Sequence, residues 1–89
     1  MIPENILRNH VLKAIQEVDD KGIPKNRKST KFQLLYDDKL YPPKYIISLA
    51  NKYSNGKELE PWEFGGGIET NNFLKRLNFK IVDKMNKVA

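Results

Sequence analysis

The sequence predicts a single α+β domain with the element order α-β-β-α-α-β, a small, mostly antiparallel sheet packed by helices. Three observations predict it. Apolar residues return at helical spacing from Leu7 to Val18. The pair Pro42-Pro43 separates a β-prone run from a second, broader apolar helical face. Asn78 then divides a short third helix from a closing β-prone run at residues 79–82.

Each element follows from local chemistry. Leu7, Val11, Ala14, Ile15 and Val18 form one face of a first helix over about residues 3–20. Pro3 suits its first turn, where a missing N–H is harmless, and Gly22 and Pro24 end it. Arg8, Lys13 and Glu17 are expected to point outward. Residues 25–31 read as a polar loop without a hydrophobic anchor. Phe32-Gln33-Leu34-Leu35-Tyr36, the turn Asp37-Asp38-Lys39 and Leu40-Tyr41 then make a hairpin.

Proline cannot donate to a ladder, so the second strand stops at Pro42. Pro43 opens helix two, about residues 43–54, with Ile46, Ile47, Leu49, Ala50 and Tyr53 on its apolar face and Asn55-Gly56 as its left-handed stop. A loop at 57–68 holds Trp62 and Phe64, both expected to plug the core from its side. Gly65-Gly66-Gly67 is read as a tight structural turn that lets them fold inward. Helix three spans about 69–77 with Phe73, Leu74 and Leu77 inward, and Asn78 supplies a left-handed stop. Residues 79–82 join the hairpin. The domain is expected to cover 1–83, with 84–89 a tail or the start of a linker.

Composition narrows the function classes. At 39% hydrophobic and 30% charged, the chain fits a folded, soluble domain rather than a disordered one. There is no cysteine and His10 is the single histidine, which removes disulfides, thiolate metal sites and His-pair chemistry. No apolar run is long enough to cross a bilayer, and Pro3, Glu4 and Asn5 interrupt any signal-peptide core, so a cytoplasmic location without membrane contact is expected. No metal and no cofactor are expected. The net charge of +5 is concentrated: residues 25–31 carry +4 and residues 69–89 carry +3. That asymmetry points to a polyanion, although lysines that merely solubilise a small domain give a similar count.

Three constellations are candidates for contact with an anion. Lys25, Arg27, Lys28 and Lys31 are interleaved with Asn26, Ser29 and Thr30, a mixture of cations and directed donors suited to phosphate oxygens. Tyr41, Lys44 and Tyr45 surround the double proline. A lysine at a helix N-terminus opposes the dipole unless an anion joins it; the bland alternative for the tyrosines is a place at the core edge with wet hydroxyls. Asn71, Asn72, Lys75 and Arg76 follow the triple glycine, and Asn72, Lys75 and Arg76 share a face at i, i+3, i+4. The glycines match neither a P-loop nor a dinucleotide fingerprint. Catalysis is argued down: Asp19-Asp20, Asp37-Asp38, Glu58, Glu60 and Glu63 form no spaced carboxylate set beside a histidine.

The block YPPKYIISLA at 41–50, with Phe64-Gly65-Gly66-Gly67 and ETNNFLKRLNF at 69–79, resembles the N-terminal head domain of McrA-like, HNH-type restriction endonucleases, which cut modified DNA. The resemblance spans roughly residues 5–83. In that family the basic loop usually carries an Arg-x-Ser-type element, which Arg27-Lys28-Ser29 resembles. It implies a non-catalytic DNA-binding or positioning module at the N-terminus of a type IV restriction-type endonuclease or related defence protein. The partners implied are duplex DNA, with or without modification, and other domains of the same polypeptide. The alternative is a protein-interaction or oligomerisation head that presents Tyr36, Tyr41, Tyr45 and Trp62 to a partner.

Overall fold

A computed structural model describes residues 1–29 and 31–83. Helix α1 runs Arg8–Lys21, strands β1 and β2 run Phe32–Tyr36 and Lys39–Tyr41, helix α2 runs Pro43–Asn55, helix α3 runs Ile68–Arg76, and strand β3 runs Lys80–Asp83. Two 3-10 turns, Lys25–Arg27 and Pro61–Glu63, interrupt the connections. The expected α-β-β-α-α-β order is therefore the observed one. The sheet order is β2-β1-β3 and both pairings are antiparallel. Leu34 stands opposite both Tyr41 and Ile81, and these three buried residues present one face of the sheet to the core.

Local chemistry sets the joints. Asp37 and Asp38 both adopt positive φ, 52° and 62°, which makes a two-residue hairpin turn whose twist suits the flanking strands. Asn78 takes φ 67°; its N–H donates to the Lys75 carbonyl and that of Phe79 to the Leu74 carbonyl. This is the Schellman closure, with buried Phe79 and Leu74 as its hydrophobic contact. Gly56 at φ 94° ends α2.

Helix α2 is the centre of the domain. Ser48 and Asn51 are buried as fully as Ile46, Ile47, Leu49 and Ala50, because α1 packs on one side and the 57–64 segment closes another. Asn51 is satisfied by donating to the Lys57 carbonyl, and the Leu59 N–H donates to the Ser48 carbonyl. Tyr53, expected on the apolar face, lies at its rim, 39% exposed, with its hydroxyl donated to Glu17.

Three expectations need correction. The first helix starts at Arg8 rather than near Pro3. Ile2 and Ile6 instead enter the core from a lead-in segment, and the Leu7 N–H is satisfied by His10 Nδ1. Arg8 is exposed, as expected, but tethered: it donates to the Leu77 and Asn78 carbonyls at 2.6 and 3.1 Å, with its guanidinium 4.3 Å from the Phe79 ring centroid. Glu17 is half-buried and accepts from Lys52 Nζ at 2.6 Å. Trp62 is not a core residue. It is 79% exposed, and Leu59 and Phe64 are the side chains of that segment that enter the core. The tail or linker expected at 84–89 lies outside the described residues.

Candidate nucleic-acid interface

The three stretches singled out in the sequence converge on one cleft of about 380 Å³. The basic loop forms one wall through Arg27, Lys28, Ser29 and Lys31. The start of α2 supplies Pro43 and Lys44, and the glycine loop and first turn of α3 supply Gly66, Gly67, Thr70 and Asn71. Among the described residues that line it, four are cations and none is a carboxylate.

The loop is held by an anchor that periodicity does not reveal. Arg27 is half-buried, donates through its guanidinium to Ser48 Oγ at 2.7 Å, and lies 5.0 Å from the Tyr45 ring centroid. Tyr45 and Ser48 stand three residues apart on α2, so one side chain can meet both. That spacing was the available signal. Ser29 turns its hydroxyl onto the Phe32 carbonyl, which closes the loop into β1.

Two helix starts border the cleft, and neither carries a side-chain cap. The first amides of any helix lack intrahelical acceptors and carry the positive end of the dipole. At α2 the N-cap is Pro42 and Pro43 has no N–H, leaving Lys44 and Tyr45 as the amides of that kind. At α3 the N-cap is Gly67, at φ 56° and ψ −116°, a conformation that side chains disfavour. Lys44 therefore works against the dipole in the domain as it stands. Its Nζ rests 5.0 Å from the Phe64 ring centroid, and its stem runs beside Gly66, where an added Cβ would come within 3.6 Å of Cδ.

The nearby carboxylate, Glu69, is turned to the loop instead. It accepts from the Gly65 N–H at 2.7 Å and from the Ile2 N–H at 3.2 Å, and the Gly65 bond is the main cause of a carboxyl pKa below its ordinary value. Thr70 completes the turn by donating to the Gly65 carbonyl. The triple glycine is thus a structural turn, as the sequence indicated, although Phe64 alone is carried inward by it.

The remaining candidates lie elsewhere. Tyr41 is buried, and its hydroxyl donates to Asp19 at 2.7 Å; burial first and Asp19 second push its pKa far above the usual phenol value. It faces a different pocket, beside Leu12 and Tyr36. Tyr45 is buried beneath Arg27 and supports the wall without lining it. Lys25 is exposed but outside the lining. Asn72, Lys75 and Arg76 do share a face, which also holds Glu69, whereas Asn71 is buried and turns to the cleft. Asn26, named in the sequence among the donors of the basic loop, also lines the cleft, whereas Thr70 and Pro61 are lining residues that sequence reasoning did not single out. Among the described residues no His, Asp or Glu cluster fit to hold a metal is present, and no helix is long and apolar enough to cross a membrane.

Such an arrangement defines a class: a small α+β accessory module presenting a cation-lined cleft on a packed scaffold. The chain matches the family described as ScoMcrA-like, N-terminal head domain, over residues 4–83, and it belongs to that family. It is an accessory head of a restriction-type protein, distinct from the HNH nuclease part, and alone it is non-catalytic. Comparison with curated proteins and with solved structures finds no match to this chain.

Proposed function

We propose that this head domain positions DNA for a restriction-type endonuclease by seating the phosphate backbone of a duplex in the cleft. Four cations lining the cleft, without a carboxylate among the described lining residues, are the observation that carries this reading. Arg27, Lys28, Lys31 and Lys44 supply charge. Asn71 and the first-turn amides of α2 and α3 supply directed bonds, while Ser29, its hydroxyl committed to the Phe32 carbonyl, holds the loop in place. Lys75 and Arg76 extend the field along the flank, and Lys25 adds to it at the outer edge of the loop. Phosphate contact carries little sequence information, so reading of sequence or of a modified base falls to other domains of the same polypeptide, in the cytoplasm where such DNA is met. Tyr41 has no part in the contact.

Binding of a labelled duplex, followed by anisotropy across a salt series, tests this. Four neutralised phosphates give a log–log slope of about −3.6, steeper if the flank joins. Replacing Lys28, Lys31 and Lys44 together by alanine should flatten it by about 3, equally for every duplex sequence. Undiminished binding by that variant would remove the cleft from the interface. A second reading, a protein-interaction or oligomerisation head, is favoured by the exposure of Trp62 and Ile68 at 79% and 80%. A dimer on a sizing column that ignores DNA would establish it.

A further inference from the structure

Trp62 and Ile68 are among the most exposed large apolar side chains, and each directly follows a residue that lines the cleft, Pro61 and Gly67. The indole is held out on a braced turn. Pro61 fixes φ at its start, the Glu63 N–H donates to the Glu60 carbonyl at 3.0 Å, and the Glu60 N–H donates to Glu63 Oε2 at 2.7 Å. The N-terminal amine donates to the Glu63 carbonyl, and buried Leu59 and Phe64 pin the segment on both sides. Folding gains little from an indole left in water. Beside a groove that attracts phosphate, a rigid exposed ring has an evident use: the flat face of a base is its chemical complement. Bases inside an uninterrupted duplex show no free face.

We infer that Trp62 stacks on the base of an unpaired nucleotide whose phosphate lies in the cleft, so that the domain prefers gapped or frayed DNA over uninterrupted duplex. This rests on the phosphate-binding reading of the cleft; the cations lining that cleft, which the turn borders through Pro61, are what select nucleic acid over a second copy of the chain, with the flanking Glu63 turned onto the Glu60 N–H.

Trp62 is the only tryptophan, so its emission reports the contact directly. The full chain is titrated with a labelled duplex carrying a short single-stranded gap and with its uninterrupted counterpart, following anisotropy and tryptophan emission together. Emission should be quenched by the gapped DNA alone. Trp62→Ala should weaken gapped binding about tenfold, the effect of one base–aromatic stack, and leave the duplex affinity unchanged, while Trp62→Phe keeps most of the preference. Salt-sensitive binding with neither quenching nor an effect of Trp62→Ala overturns the stacking and leaves the cleft reading standing. Absence of salt-sensitive binding to either DNA overturns that reading and the stacking with it. A blue shift of emission that grows with protein concentration and accompanies a dimer on sizing assigns Trp62 to a second copy and also overturns the inference.

Discussion

Replacing Arg27 by alanine separates the scaffold from the charge. In the folded domain its guanidinium donates to the hydroxyl of Ser48, a fully buried residue, at 2.7 Å and covers the Tyr45 ring at 5.0 Å. A hydrogen bond from a charged donor contributes about 1.5–3 kcal/mol, and its loss removes a partner from a buried hydroxyl. The ring contact adds about 0.5–1 kcal/mol. Since Arg27 is only half-buried, a total of about 2–3 kcal/mol is expected. Against a stability of about 4–13 kcal/mol for a chain of this length, that is a large share. The melting temperature should fall by about 10–20 °C. Ser48→Ala in the same background supplies a double-mutant cycle, in which the pair should show a coupling of about 1–2 kcal/mol because each change removes the same bond. Arg27→Lys keeps the charge but loses the planar fork, so it should lower the melting temperature while preserving the salt slope of DNA binding. An Arg27→Ala protein that melts within about 2 °C of the parent would refute the anchor. The basic loop would then be a mobile cation cluster rather than one wall of a cleft.

Trp62→Ala should change stability by less than about 0.5 kcal/mol, whereas Phe64→Ala, which empties a buried site, should cost about 3–5 kcal/mol; thermal melts of the two variants check the pair. Glu17 is held below its usual 4.5 chiefly by the hydrogen bond from Lys52, so its contribution is complete above that value and is lost as pH falls through the lower folded value. Melts between about pH 6 and about pH 3 should therefore show a shallower acid limb in Glu17→Gln than in the parent. Gly67→Ala forces a side chain to φ 56°, ψ −116° and should cost about 1–3 kcal/mol in chemical denaturation, with weaker duplex binding because the rim of the cleft moves.

The parts of this fold that are legible in the sequence are those whose cause is local. Pro43 and Asn55-Gly56 state both ends of α2, and the observed bounds agree with the sequence to within one residue. Asp37-Asp38 and Asn78 sit at positive φ, which their side chains tolerate, and the hairpin and the exit from α3 follow. The start of α1 was not legible, because it is decided at a distance. Ile2 is buried and its N–H is taken by Glu69, sixty-seven residues away, so the chain before Arg8 is committed to the core before the helix begins. Trp62 shows the other kind of failure. Residue type predicts average burial, but in this segment Leu59 and Phe64 go inward and Trp62 stays out, and which of three large side chains is chosen is not written in a window of sequence.

The site obeys the same division. Its three stretches are each visible as chemistry, yet nothing in their spacing says that they meet. They meet because β1 pairs with both neighbours, its register placing Phe32 opposite Asp83 and Leu34 opposite Tyr41. That register fixes where the 25–31 loop joins the sheet and where β2 hands the chain to α2, so the loop and the α2 N-terminus fall on the same side. Arg27 then fastens one to the other through Ser48 and Tyr45. The glycine loop is drawn in by the Glu69 and Thr70 bonds to Gly65, which bring Gly66 alongside the stem of Lys44. Lys44 is the residue at which the two levels disagree: the dipole of its own helix disfavours it, and the cleft it helps to line gives an anion reason to offset that cost.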